Sequence, residues 1–306
     1  MPEIRTLNVA ISPCPNDTFI FGAWILGLVS DLEGCRSRFA WRDVDVLNQW
    51  ARENSCSLVK VSAGQALDLQ DKYFILSSGA AFGLSHGPKL VARRGLKTRP
   101  GVIAVPGLQT TACSLLRAAL DYDFKALPMP FDRIVDCLEQ GHADAGLLIH
   151  ETALIYQQYH LELLLDLGSW WGEEAGDLPL PLGCIIMRKD LGQALKDRVE
   201  EQIRCSLDTA RQRQPELMPL ISHLAQEMDT DVIDRHIRAY VNQYSRDMGR
   251  PGKEALQKLQ QLKTSMSDPS DRSDTSDKSD KSDRSDKSDT SDKLRQNPLN
   301  PTHSNK

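Results

Sequence analysis

Asp177-Leu178-Pro179-Leu180-Pro181-Leu182-Gly183 and, earlier, Lys97-Thr98-Arg99-Pro100-Gly101 are the stretches that decide the architecture. Each is a proline-bearing connection between apolar runs, and proline stiffens such a crossing by fixing its own φ. A chain that leaves one lobe at the earlier crossing and returns at the later one builds a discontinuous two-lobed protein. The expected division is 1–98 for the first part of lobe 1, 99–180 for lobe 2, 181–266 for a mainly helical return to lobe 1, and 267–306 for a tail. A ligand then sits between the lobes, where strand ends and helix N-termini converge.

The residues on either side of the crossings alternate short apolar runs with longer amphipathic stretches, the pattern of an α/β protein. Strands are expected at Leu7–Ile11, Ser57–Val61, Lys89–Ala92, Val102–Val105, Ala145–Ile149 and Cys184–Arg188. Helical spacing of apolar residues marks Thr18–Leu28, Leu115–Leu120, Phe131–Gln140 and Glu151–Tyr159. Beyond Lys189 strands give way to helices over Leu191–Arg213, Glu216–Met228 and Thr230–Asp247. From Ser267 to Lys293 a three-residue Ser-Asp repeat offers nothing apolar to bury, so disorder is expected there. It reads either as an interaction or solubility tail or as a coding-repeat expansion of little effect.

The 306 residues carry a formal charge of -5. Without clustered Lys and Arg there is no general attraction to nucleic acid or anionic membranes. No window approaches the apolar length of a spanning helix, and Met1–Val9 lacks the form of a secretory signal. Seven cysteines are scattered singly, with no CxxC pair and no metal-type spacing to His. No metal and a reducing, cytoplasmic setting are therefore expected. Cys14 and Cys113 lie in polar loops and could be nucleophiles, against the commoner reading as small packed thiols.

Five places could carry chemistry. Ser12-Pro13-Cys14-Pro15-Asn16-Asp17-Thr18 is a rigid turn between a strand and an apolar helix, in which Asn16, Asp17 or Thr18 caps the helix or meets a ligand. Lys60-Val61-Ser62 ends a strand, and Ser62 can cap the next helix or donate to a carboxylate. The small-residue loop Ser77-Ser78-Gly79-Ala80-Ala81-Phe82-Gly83 suits close backbone approach, with Ser78 a pocket candidate. It lacks P-loop or GxGxxG spacing, so no nucleotide cofactor is expected.

In Val105-Pro106-Gly107-Leu108-Gln109-Thr110-Thr111-Ala112, two hydroxyls stand at a helix N-terminus, whose amides and dipole favour an anion such as a substrate carboxylate. Asp144-Ala145-Gly146-Leu147-Leu148-Ile149-His150-Glu151 is an apolar strand delivering a histidine, the side chain best suited to exchange a proton near neutrality. Glu151 orients that histidine or merely begins the next helix. Downstream, Asp166-Leu167-Gly168-Ser169-Trp170-Trp171 offers a Trp pair, with Trp170 either walling a flat pocket or packing lobes together.

Taken in order, SPCPNDTFIF, KVS, the PGxxTTA turn, the LLIHE strand end, DLGxWW and PLPLG resemble 1,4-dihydroxy-6-naphthoate synthase of the futalosine route to menaquinone, over roughly residues 7 to 250. The resemblance implies a two-lobed periplasmic-binding-protein-like fold turned to catalysis in the cytoplasm. It implies a carbon-carbon lyase that needs no cofactor and splits cyclic dehypoxanthine futalosine into 1,4-dihydroxy-6-naphthoate and dihydroxyacetone. It also implies His150 as the base, and Lys60, Val61, Ser62, Thr110 and Thr111 as substrate-binding residues. Two departures stand out: the Ser-Asp tail, and Gly22 after FIF, where a larger residue, often His, is expected. The alternatives are a solute-binding protein that captures a small carboxylate unchanged, and chorismate dehydratase of the same pathway.

Overall fold

A computed structural model describes residues 4–225 and 229–267. Along the chain, β1 (Arg5–Ile11) leads into α1 (Pro15–Ile25), β2 (Cys35–Trp41) into α2 (Val44–Arg52), and β3 (Leu58–Ser62) into α3 (Ala63–Asp68). Two short strands follow, β4 (Tyr73–Ile75) and β5 (Ala81–Gly83). Next come β6 (Lys89–Arg93), β7 (Val102–Val105), α4 (Thr111–Ala119), β8 (Lys125–Pro128), α5 (Ile134–Glu139) and β9 (Ala145–Leu148). They continue into α6 (His150–Ile155), β10 (Leu161–Asp166), α7 (Leu167–Ala175) and the long β11 (Leu180–Arg188). The remainder is helical: α8 (Gln193–Gln212), α9 (Gln214–Leu224), α10 (Thr230–Tyr240), α11 (Gln243–Arg246) and α12 (Gly249–Ser267).

The strands form two sheets. One has the order β2-β1-β3-β11-β4, with β5 also on β11; the other has the order β10-β6-β9-β7-β8. Within the first, β1 is parallel to β2 and β3, while β11 returns antiparallel along β3 with Gly183 opposite Ser62. Within the second, β9 lies between β6, to which it is antiparallel, and β7, to which it is parallel. A single apolar core joins the two sheets, taking Val59, Val61 and Ile186 from one and Leu90, Val105 and Leu147 from the other. The opposite face of the first sheet is covered by α1, α8, α9 and α10 through Phe21, Val199, Leu217 and Ile233. The opposite face of the second is covered through Ile134 and Leu138 of α5.

One expected boundary moves. Lys89–Arg93 pairs with Ala145–Leu148 on one side and with Leu161–Asp166 on the other, so it belongs to the second sheet. The chain therefore changes sheets at residues 84–88, after β5, and Lys97–Gly101 is a turn inside the second half. The proline there stiffens a turn between two strands of one sheet. The return falls between β10 and β11, and Leu180 is already paired with Gly83 in the first sheet.

Among the expected helices, Thr230–Asp247 is divided: α10 ends at Tyr240, and Asn242 caps α11 by accepting from Tyr244 N. The Ser-Asp repeat lies outside the described residues, as do residues 226–228. No helix among the described residues is long and apolar enough to cross a membrane.

Candidate functional site

Four chain segments end at one cavity between the sheets. The first is the start of α1. Cys14 is its N-cap in extended conformation and Pro15 its first residue. Asn16 and Asp17 consequently fall inside the first turn rather than capping it, and both line the cavity. A carboxylate in that turn is favoured by the helix dipole. Asp17 also accepts from Ser12 Oγ at 2.6 Å and Asn16 Nδ2 at 2.8 Å, and is ion-paired with Lys60.

The second segment is the end of β3. Lys60, Val61 and Ser62 line the cavity, with Lys60 turned to Asp17. Ser62 does not cap α3 through its side chain. Instead Asn48 of α2 clasps it, accepting from Ser62 N at 2.9 Å and donating to Ser62 Oγ at 3.1 Å.

The third is the start of α4. Thr110 is the N-cap: its Oγ1 accepts from Cys113 N at 3.2 Å and donates to Gly107 O at 2.8 Å. The Thr111 hydroxyl spans the two sheets, donating to Leu182 O of β11 at 2.9 Å and accepting from Gly64 N of α3 at 3.1 Å. Both hydroxyls are thus engaged by protein. What this N-terminus offers an anion is its backbone, because the first N–H groups of a helix have no intrahelical acceptor. Thr110, Thr111 and Ala112 line the cavity there.

The fourth is the end of β9. His150 opens α6 with φ +56°, a left-handed backbone that non-glycine residues seldom adopt. The edge of its ring meets Phe131, with centroids 4.7 Å apart, and its Nδ1 lies 3.4 Å from Cys14 Sγ. A thiol is a weak donor and a weak acceptor, so this contact fixes the ring's place more than its tautomer. His150 Nε2 is buried with no hydrogen-bond partner among the described residues. Burial drives the imidazole down to about 4, outweighing the pull of the Glu151 charge in the other direction. The ring is accordingly neutral at physiological pH, with a nitrogen lone pair available to accept a proton.

Burial, with Glu151 and Asp17 nearby, pushes the Cys14 thiol well up, and burial also raises Cys113. Neither is a ready thiolate, so neither serves as a nucleophile unaided. All seven cysteines are free. Cys14, His150 and Glu151 bring a sulfur, a ring nitrogen and a carboxylate oxygen within 4.8 Å of one another, ligand types that could hold a metal ion.

Two expected pocket residues stand elsewhere. Ser78 is fully buried and donates to Glu200 O at 3.1 Å, which anchors its loop to α8. Trp170 packs against the central core and is absent from the cavity wall, while Trp171 is buried with Nε1 donating to Leu178 O at 2.8 Å. The Trp pair is packing. Gly22 also points away from the cavity: a Cβ there would come within 2.8 Å of Leu217 Cδ2, so the small residue accommodates α9 against α1.

Conversely, His236 and Tyr240 of α10 line the cavity without having been singled out from sequence. They lie four residues apart and so share a helix face, the one signal that could have pointed to them. Next to Val44, which lines the cavity, Asp43 caps α2 and burial pushes it up to about 6, aided by the charges of Asp45 and Asp132.

Two sheets joined by two crossings, with a cavity between them, define the periplasmic-binding-protein fold. A Candida albicans protein described as having the generic form of that fold superposes with a TM-score of 0.61 at 12% identity, covering 85% of this chain and 94% of its own. A crystal structure from Archaeoglobus fulgidus matches more closely, with a TM-score of 0.78 at 35% identity over 85% of this chain and 97% of that one. Residues 7–264 match a family model described as menaquinone biosynthesis. A 1,4-dihydroxy-6-naphthoate synthase from Thermus thermophilus is 39% identical over 83% of this chain and 93% of its own length. The chain belongs to this menaquinone-biosynthesis family and is an enzyme of it.

Proposed function

We propose that this enzyme splits cyclic dehypoxanthine futalosine into 1,4-dihydroxy-6-naphthoate and dihydroxyacetone, with His150 as the base. The observation that carries the reading is a neutral imidazole with a partner-free nitrogen, set at the same cavity as the α4 N-terminus. The α4 amides hold the substrate carboxylate, and Ser62 and Lys60 lie at the wall facing it. A proton removed by His150 starts the cleavage, and aromatisation of the new ring draws it forward. No cofactor enters this scheme. Closure of the halves excludes water and fixes the donor-acceptor geometry. Seven free cysteines fit a reducing cytoplasm.

The test is turnover of cyclic dehypoxanthine futalosine by purified protein without additives, followed by mass spectrometry. His150→Ala is expected to bind substrate while losing about 100- to 10,000-fold in kcat, the usual worth of a general base. Undiminished turnover in that variant removes His150 from the role. A wild-type protein that binds a carboxylate tightly but converts nothing is a binding protein.

A further inference from the structure

His236 is a buried titratable group at the cavity that the proposed chemistry leaves unused. It is wholly buried on α10, its ring centroid is 6.2 Å from that of His150, and it lines the same cavity. Its hydrogen bonds form a directional chain. The Asp17 carboxylate can only accept, so Asn16 must present Nδ2 to it, at 2.8 Å. That orientation leaves Asn16 Oδ1 facing His236 Nε2 at 2.9 Å. A carbonyl oxygen can only accept, so Nε2 carries the proton and Nδ1 carries the lone pair. Nδ1 is buried and has no partner among the described residues.

Burial, with Lys60 adding to it against the opposing pull of Asp17, depresses His236 to about 3, so the ring stays neutral and Nδ1 remains an acceptor. A buried acceptor without a donor is costly, roughly 1–3 kcal/mol, and such a site favours a ligand that supplies the donor. A carboxylate cannot do so, but a hydroxyl can. Dihydroxyacetone bears two hydroxyls, so the fragment it leaves from is rich in hydroxyl donors.

We infer that His236, held as the Nε2–H tautomer by the Lys60-Asp17-Asn16 chain, accepts a hydrogen bond at Nδ1 from a substrate hydroxyl on the three-carbon fragment. The inference rests on the proposed reaction and adds to it a specificity-determining residue at the end of the cavity formed by α10. His150 and His236 then divide the work. One imidazole takes a proton, and the other reads a hydroxyl and orients the leaving fragment.

The experiment crosses two substitutions with two substrates. His236→Gln keeps an amide donor where Nε2 stood and loses the Nδ1 acceptor, whereas His236→Asn places an oxygen near Nδ1 and loses the contact with Asn16. The substrates are cyclic dehypoxanthine futalosine and its analogues in which each three-carbon hydroxyl is replaced in turn by fluorine, which cannot donate. For wild type, one fluoro analogue is expected to lose about tenfold or more in kcat/KM, the worth of a buried hydrogen bond. His236→Gln should lose a similar factor on the parent substrate and be indifferent to that fluorine, while His236→Asn retains the discrimination.

A merely structural histidine gives the reverse order, with His236→Gln near wild type and His236→Asn impaired on every substrate. That result overturns the inference. So does a wild type that turns over every fluoro analogue as well as the parent, a measurement that needs no variant to fold. Wild type that fails to convert the parent at all sinks the proposed reaction itself, a distinct outcome.

Discussion

His150 sits at the cavity with its basicity lowered by burial and its neighbours already placed, and this sets a pH dependence that an exposed histidine would not have. In the proposed reaction the free base is the active form, and burial puts the loss of activity near pH 4 instead of the ordinary 6.5. On the acid side, kcat/KM should therefore stay level as pH falls through neutrality and drop only toward 4, read in short assays on protein shown to be folded. Asp43, whose carboxyl is pushed up to about 6 by burial, is not among the residues of the cavity wall, so Asp43→Asn should leave that profile unchanged. At this scale the sequence was informative at the C-terminal ends of central strands, where Ser62 closes β3 and His150 follows β9, both on the cavity wall. It misled where small or aromatic residues suggested a pocket. Ser78 and Trp170 serve packing instead, because a loop that approaches another backbone and a loop that approaches a ligand need the same residue types. His236 stayed invisible because its pairing with Tyr240 on one face of an amphipathic helix does not by itself mark a cavity; only the fold carries α10 there.

Among the elements, the bond from Thr111 of α4 to Leu182 of β11 and the one it receives from Gly64 of α3 tie the two halves together. Thr111→Val keeps the shape, deletes the donor and strands the Leu182 carbonyl and the Gly64 amide. It is expected to cost about 1–3 kcal/mol in urea unfolding, with KM raised more than kcat is lowered, since the anion-holding amides of α4 are placed by that tie. Legibility of the strands divided by position. The six strands read from sequence, β1, β3, β6, β7, β9 and β11, are the interior ones, and the five missed, β2, β4, β5, β8 and β10, lie at the margins. Interior strands bury both faces and read as unbroken apolar runs. A marginal strand can face water and carry charge, as in Cys35-Arg36-Ser37-Arg38-Phe39-Ala40-Trp41, where no residue is buried, while β4 and β5, of three residues each, are too short to show a pattern. The same logic explains the misplaced crossing: proline at Pro100 was visible, whereas the true change of sheet near Gly83–Pro88 is betrayed only by which strands pair.

For the molecule as a whole, the binding-protein fold supplies a pair of sheets and a cavity between them, and the enzyme is made by what faces inward. Relatives of the fold at 12% identity share the scaffold alone, so the chemistry resides in the few segments that end at the cavity. One of them is held against its preference. The left-handed backbone of His150 suits glycine, and a side chain there costs on the order of 1 kcal/mol. His150→Gly should then melt a few degrees above His150→Ala in calorimetry, although both lack the base. A search for heat-resistant variants that ignored turnover would drift toward glycine at this position. With His150 as the proposed base, the most durable descendant of this enzyme would be a sterile one, and a histidine in that backbone is a demand that folding alone would not make.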